Sequence, residues 1–294
     1  MRLQEALKQG VESLARGGVP SPRLNAEVLL MHAARCDRAH LFSHSERELT
    51  DAERVDYGRC LHERLQGKPT QYITGHQEFW GLDFLVNPSV LIPRPETELV
   101  VEAALQIIRQ HVSKDSEDSE KTEFLIADVG TGSGCIAIAL AHELPKARAF
   151  ALDQSPPALE TARRNARRLG VEPRIQCLLS DLLVPCSGEP LPPLHMVVSN
   201  PPYVSEQDRN VMPEVRRFEP PAAVFAGKSG LEIYSRLIPQ AAQALRPGGA
   251  LVLELGYDVQ EGVRGLLSPT QWDSVHWLPD LAGIMRVVTA RRVR

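Results

Sequence analysis

The run Asp128-Val129-Gly130-Thr131-Gly132-Ser133-Gly134 constrains the fold of this chain more than any other feature of its 294 residues. It follows a short apolar segment, Phe124–Val129, and opens a helical one over residues 134–144. Glycines at alternate positions let the backbone turn tightly and let a ligand approach it closely. A strand, such a turn and a helix in succession predict a βαβ unit and a mostly parallel sheet, whose carboxyl edge is where ligands bind. The pattern continues downstream. Residues 149–152 form a strand ending at Asp153, and Ser155 caps a helix with Pro156 and Pro157 in its first turn, where a missing N–H does no harm. Further strands are expected at 175–179, 196–199 and 250–255. A helix over 231–245 stops at Arg246-Pro247-Gly248-Gly249, and two last strands, 272–278 and 285–290, flank a turn over 279–283.

Residues 1–75 read differently. Leu3, Leu7, Val11 and Leu14 fall at helical spacing, as do Ala26, Leu29, Leu30 and Ala33, and Val55, Leu61 and Leu65 suit a third helix. Gly17-Gly18, with Pro20 and Pro22 beyond, ends the first helix, and Thr50-x-x-Glu53 is a capping-box start for the last. A small helical bundle is expected. Residues 78–86 predict a β-hairpin turning near Gly81, so 76–92 is expected as a hairpin linker and 93–294 as the α/β domain. Pro93-Arg94-Pro95-Glu96-Thr97-Glu98 leads into a helix with Leu99, Val100, Ala103, Ala104, Ile107 and Ile108 on its apolar side. The polar stretch 113–123 reads as a surface loop.

The net charge of −4 opposes a nucleic-acid binder, which needs a basic stripe to meet phosphates. Arg163, Arg164, Arg167 and Arg168 lie at helical spacing and read as a solvated face. Five scattered cysteines without a C-x-x-C pair suit a reducing cytoplasm and argue against disulfides and against a metal site. Cys135, beside the glycine loop, reads as a small apolar packer rather than a nucleophile. No apolar run approaches the roughly 18 residues of a membrane span, and the start Met1-Arg2-Leu3-Gln4-Glu5 is not signal-like. A soluble, cytoplasmic monomer with no metal and no direct nucleic-acid partner is expected.

The ligand of the glycine loop is a separate question. Gly132-x-Gly134-x-x-Ala137 satisfies a dinucleotide pattern, and an acid at Asp153 suits a ribose hydroxyl in either an NAD or an S-adenosylmethionine site. Continuity of the glycines with Asp128 resembles the acidic E/D-x-G-x-G-x-G motif of class I methyltransferases. Ser180-Asp181-Leu182, after the third strand, falls where that family places an acid for the adenine amino group. An aromatic often follows that acid, whereas Leu182 can only pack on the adenine.

Asn200-Pro201-Pro202-Tyr203 directly follows the apolar strand 196–199. An amide nitrogen is a poor nucleophile because its lone pair is delocalised into the carbonyl. It becomes competent if N–H acceptors hold it facing a methyl donor. The amide of Asn200 offers a carbonyl oxygen to accept and an NH₂ to donate. Pro201, with φ fixed, presents its backbone carbonyl with little reorganisation, and Tyr203 walls a planar group. The tetrapeptide by itself fits an amide or an adenine amine equally well.

Together these motifs, with Phe218-Glu219-Pro220, resemble the N5-glutamine methyltransferases that modify peptide chain release factors, the PrmC or HemK family, over essentially the whole chain. Pro93–Glu98 between a helical domain and the cofactor domain is the specific element. The resemblance implies a class I S-adenosylmethionine-dependent methyltransferase fold, Rossmann-like with a mostly parallel seven-stranded sheet, behind an N-terminal helical bundle. It implies that Gly130, Thr131, Gly132, Ser133 and Gly134 line the methionine part of S-adenosyl-L-methionine, that Asp153 holds the ribose and Asp181 the adenine beside Leu182, and that Asn200 also borders the cofactor. Asn200, Pro201, Pro202 and Tyr203 would hold the glutamine of a Gly-Gly-Gln loop, with Asn200, Pro201 and Tyr203 as the catalytic set. Residues 1–75 would dock the release factor. Arg94 and Glu96 would either help close the site or pair at a helix start, and Glu219 is a weaker candidate of the same kind. Competing readings are an N6-adenine DNA or RNA methyltransferase, a ribosomal-protein glutamine methyltransferase, a release-factor- or ribosome-binding module without catalysis, and, most remotely, an NAD oxidoreductase.

Overall fold

A computed structural model of the protein describes residues 1–112 and 123–294. The surface loop expected over 113–123 lies, apart from Glu123, outside them. The chain forms two compact units, one of Met1–His76 with Met212–Phe218, the other of Gln77–Val211 with Glu219–Arg294.

The first unit is helical: Leu3–Arg16, Pro22–Ala34, Arg38–Ser43, Asp51–Leu65, Thr70–Thr74 and Pro213–Phe218. The capping box forms, with Thr50 Oγ1 accepting from the Glu53 N–H at 3.2 Å and a Glu53 carboxylate oxygen accepting from the Thr50 N–H at 2.8 Å. Leu3, Leu14, Leu29 and Leu30 are fully buried, as the helical spacing predicts. Val55 departs from its expected apolar face: it is 70% exposed, and Tyr57 and Cys60 carry that helix's buried side instead. The reason is visible across the bundle. A side chain at Gly10 would run into the Tyr57 hydroxyl, so helix Leu3–Arg16 crosses helix Asp51–Leu65 closely at that point, with Tyr57 facing inward.

A hairpin of β1 (His76–Phe79) and β2 (Leu82–Leu85), in the second unit from Gln77 on, turns at Trp80 and Gly81, both with positive φ (56° and 71°), a combination that matches the twist of paired strands. The remaining strands, β3 (Phe124–Val129), β4 (Ala147–Asp153), β5 (Ile175–Asp181), β6 (Val184–Pro185), β7 (Leu194–Ser199), β8 (Leu245–Glu254), β9 (Trp272–Pro279) and β10 (Met285–Arg292), form one sheet in the order β6-β5-β4-β3-β7-β8-β10-β9. Strands β5, β4, β3, β7 and β8 are mutually parallel. The expected seven strands are present, and the two-residue β6 adds an antiparallel eighth at the edge. Arg246-Pro247-Gly248-Gly249, expected to be a helix stop, lies within β8, where a register irregularity against β7 absorbs it.

Period-two alternation divides the core between the two faces of this sheet. Ile126, Met196, Val198, Ala250, Val252 and Val287 pack on one face with helices Glu98–Val112 and Cys135–Glu143. Their neighbours Ala127, Val197, Leu251, Leu253 and Val288 pack on the other with helix Glu232–Ala244. Such double burial is what a parallel sheet requires. Among the described residues no helix is long and apolar enough to cross a membrane, and no cluster of His, Cys, Asp or Glu could hold a metal ion.

Candidate active site

Register brings the motifs together. Val129 lies opposite Leu152 on one side and Ser199 on the other, and Ser199 lies opposite Leu253. Gly130, Asp153, Asn200 and Glu254 therefore leave adjacent strands at one level of the carboxyl edge. Ser199 Oγ donates to the Val129 carbonyl at 2.6 Å, fastening the two motif-bearing strands where they end. The strand order reverses between β4 and β7 on either side of β3, which is where an α/β sheet opens a crevice.

A cavity of about 180 Å³ occupies that crevice, and Gly130, Gly132, Asp153, Asp181, Leu182 and Asn200 all border it, together with Pro202. Gly130 has φ +71°, and a Cβ there would meet no atom within 4 Å, so the space over the loop is open on the ligand side. Gly134 plays another part: a Cβ would lie 2.9 Å from Ile138 Cδ1 and 3.2 Å from Ala162 Cβ, so this glycine lets helix Pro156–Arg168 pack against the loop. Thr131 and Ser133 are buried away from the cavity. Thr131 Oγ1 donates to Asp128 at 2.7 Å, and the same Asp128 oxygen accepts the Ala137 N–H at 3.1 Å. Asp128 thus braces the loop from beneath, and burial pushes its carboxyl up to about 6.

Asp153 accepts the Gly132 N–H on one oxygen and the Ser155 N–H on the other, each at 2.9 Å. Burial raises its carboxyl above the usual range, and these N–H groups pull it back. Asp153 also borders the cavity, and a carboxylate has acceptor capacity beyond these N–H groups, which suits a ribose diol. Asp181 pairs with Arg236 and is largely exposed. Leu182, held at φ +54°, presents an apolar wall beside it. An open glycine turn, a carboxylate with acceptor capacity and an apolar wall next to an acid fit S-adenosylmethionine. Nothing in them requires a pyrophosphate.

At the other end Asn200 Nδ2 donates to Thr97 Oγ1 at 3.0 Å, Thr97 donates to Glu254 Oε2 at 2.6 Å, and the Tyr203 hydroxyl donates to Glu254 Oε1 at 3.3 Å. Pro201 is buried behind the cavity and Pro202 borders it. Gly256 lies flat against the Tyr203 ring, where a Cβ would come within 2.7 Å of Cδ2, and the Gly230 backbone backs the Tyr203 carbonyl. Burial raises the Tyr203 hydroxyl beyond its ordinary range, so it stays a neutral donor. Burial also raises the Cys135 thiol to about 12, as befits a packing residue.

Arg94 pairs with Glu219, not Glu96, and the other Glu219 oxygen accepts the Ile92 N–H at 3.3 Å. Glu219 therefore ties the segment before the helix to the one after Phe218. Sequence reasoning does not anticipate the roles of Thr97, Glu254 or Gly256. Glu254 carries a readable signal: like Asp153, and like Asp128 one residue from its strand's end, it is an acid closing a buried apolar strand.

The chain matches the family model of the PrmC N-terminal domain over residues 5–75 and that of the methyltransferase small domain over residues 101–258. It is 45% identical over 293 residues to a release factor glutamine methyltransferase of Koribacter versatilis (strain Ellin345), covering 99% of each chain. It is 44% identical over 293 residues to one of Moorella thermoacetica (strain ATCC 39073 / JCM 9320), again 99% of each. Among solved structures, the hMettl16 catalytic domain in complex with an RNA hairpin of the MAT2A 3'UTR shares the fold, with a TM-score of 0.55 at 17% identity over 86% of this chain and 85% of that one. A sheet with these motifs level at its carboxyl edge, and relatives this similar from end to end, place the chain in the family of release factor glutamine methyltransferases.

Proposed function

We propose that this enzyme transfers a methyl group from S-adenosyl-L-methionine to the side-chain amide nitrogen of a glutamine in a peptide chain release factor, the glutamine of its Gly-Gly-Gln loop. The end-to-end likeness to enzymes of that name carries the reading, and the amide of Asn200 at the cavity edge supplies its chemistry. S-Adenosylmethionine supplies a sulfonium methyl, an electrophile that needs no further activation. Gly130 and Gly132 let it lie close to the backbone, Asp153 accepts from the ribose, and Asp181 and Leu182 serve the adenine.

The acceptor side rests on Asn200 and Pro201. Asn200 Nδ2 is engaged with Thr97, which leaves Oδ1 to accept one substrate N–H while the Pro201 carbonyl accepts the other. Both acceptors favour positive charge building on nitrogen as it bonds to carbon. Tyr203 walls the planar group, and holding the nitrogen in line is worth roughly 7–11 kcal/mol of the barrier. The methylated nitrogen sheds its surplus proton readily, so no dedicated base is assigned. Residues 1–75 are read as the docking unit for the release factor, and the enzyme as a monomer working in a reducing cytoplasm, consistent with its five free cysteines.

The test is mass spectrometry of a tryptic digest of release factor incubated with enzyme and cofactor. One added methyl on the Gly-Gly-Gln glutamine is expected, and no transfer with cofactor demonstrably bound would refute the reading. Asn200→Ala should lower kcat by about 10²–10³-fold at nearly unchanged cofactor affinity, while Asp153→Ala should weaken cofactor binding first.

A further inference from the structure

A hydroxyl has one proton to give, and the position of Thr97 spends it. Thr97 is 2% exposed, in the turn Pro95–Thr97, and its Oγ1 lies 2.6 Å from Glu254 Oε2, itself 2% exposed. With that proton directed to the carboxylate, Oγ1 can only accept on its other side, and the Asn200 amide sits there at 3.0 Å. Only the Nδ2 end of the amide can meet it. A flipped amide would set Oδ1 against an oxygen with no proton to offer, two acceptors in a buried place.

We propose that Thr97 and Glu254 are positioning residues for methyl transfer: they fix the Asn200 amide so that Oδ1, the end that accepts an N–H, faces the acceptor nitrogen. The inference rests on the amide-clamp reading given above. It assigns work to two residues 157 positions apart, neither of which borders the cavity. The same carboxylate takes the Tyr203 hydroxyl on Oε1 at 3.3 Å, so one buried group anchors both ends of Asn200-Pro201-Pro202-Tyr203. Its own backbone is held as well, since the Glu254 carbonyl accepts the Tyr234 hydroxyl at 2.7 Å.

Such an anchor works only while it accepts on both oxygens, that is, while it is ionised. Once protonated, the carboxyl must donate to one partner. If that partner is Thr97, the Thr97 proton is freed to turn toward the amide and the flipped form becomes acceptable. Burial pushes Glu254 up to about 7, while the bonds from Thr97 and Tyr203 pull it down. Glu96 raises it further from the adjoining turn, and Arg286 lowers it from β10. Tyr234, on the helix above, and Cys135, at the start of the helix after the glycine loop, also feel its charge, and burial keeps both neutral. Methyl transfer should therefore weaken as pH falls through about 7, although a primary amide does not itself titrate there.

The experiment uses the full chain, S-adenosylmethionine and release factor, with kcat and KM from methyl incorporation between pH 5.5 and 9 and cofactor Kd from calorimetry. Thr97→Val, near-isosteric, should lower kcat about 10- to 100-fold, the worth of a hydrogen bond to a charged group, with cofactor Kd within about threefold, and Thr97→Ser should restore most of the loss. Glu254→Gln should lower kcat and abolish the acid limb. Retention of kcat within about twofold by Thr97→Val, or no rescue by serine, overturns the proposal. If Thr97→Val does not fold, Glu254→Gln decides: an unchanged rate and pH profile overturns it. Asn200→Ala keeps the two readings apart. If Asn200→Ala is inactive and Thr97→Val is not, the relay alone is wrong. If Asn200→Ala turns over normally, the clamp is wrong and the relay falls with it.

Discussion

Asn165 is fully buried in the last turn of an arginine-rich helix, and its side chain does three things at once. Oδ1 accepts the Leu85 N–H at 2.8 Å, while Nδ2 donates to the Leu85 carbonyl at 3.0 Å and to the Ser133 carbonyl at 2.9 Å. It thereby holds the hairpin strand β2 and the glycine loop to one helix. Asn165→Leu keeps the volume and removes every bond, leaving three backbone groups without a partner. At about 1–3 kcal/mol for each stranded group, offset where local relaxation admits water, the loss is about 3–6 kcal/mol. A domain of this size shifts its Tm by about 2–4 °C per kcal/mol, so melting should fall by roughly 6–24 °C. Because Ser133 belongs to the loop, cofactor affinity should also fall, by about tenfold. Circular-dichroism melts with and without S-adenosylmethionine, and calorimetric titration, measure both. Asn165→Asp sharpens the test: it still accepts from Leu85 N–H but turns a carboxylate on two carbonyls, so at pH 7 it should be at least as damaging as leucine. Asn165→Leu melting within about 2 °C of the parent, with cofactor affinity unchanged, would show that these bonds do not hold the loop.

Two further outcomes are expected. Gly256→Ala puts a methyl 2.7 Å from Tyr203 Cδ2; the ring must shift, and kcat should fall about tenfold or more, since small displacements of positioning groups are costly. An unaltered kcat would remove Tyr203 from the acceptor site. Asp128 has its carboxyl raised from 3.8 to about 6 by burial, so in the folded state it holds its proton where the unfolded chain has lost it. The stability this gives is fully present below about 4 and lost as pH rises through about 6, on the order of 3 kcal/mol. Denaturant melts from pH 4 to 7 should show wild type losing stability relative to Asp128→Asn across that window, and parallel curves would refute the assignment.

What can be read in the sequence is local. Asp128 to Gly134, Asp153 and Asn200 each end or follow an apolar strand, so strand, turn and helix propensities place them on one edge before any tertiary contact is known. What cannot be read depends on partners far away in the sequence. Asn165 sits among arginines that reach outward to Glu172 and Asp83, and the basic pattern describes that exposed face alone. Its buried task is fixed by Leu85, 80 residues earlier. Thr97 stands inside a conspicuous motif, but its role depends on Glu254. Val55 defies its spacing because periodicity gives the existence of an apolar stripe, whereas the crossing at Gly10 decides which side of the helix is covered. Thr131 and Ser133 lie in the ligand loop, yet alternation turns their side chains into the core and leaves Gly130 and Gly132 at the cavity.

The helical unit is not one continuous stretch of sequence. Its last helix, Pro213–Phe218, is reached through the segment that follows Tyr203, and the backbone leaves it again at Glu219. Anyone dividing this enzyme into parts must therefore make three cuts, not one. A catalytic fragment begun at residue 77 would carry a helix belonging elsewhere, its Arg217 no longer able to reach the Gln66 carbonyl. A transplanted helical unit ending at residue 76 would lack a piece of itself. Modular exchange between relatives is workable only if residues 212–218 travel with the N-terminal helices, which makes the helical unit an inheritance from two places in the gene at once.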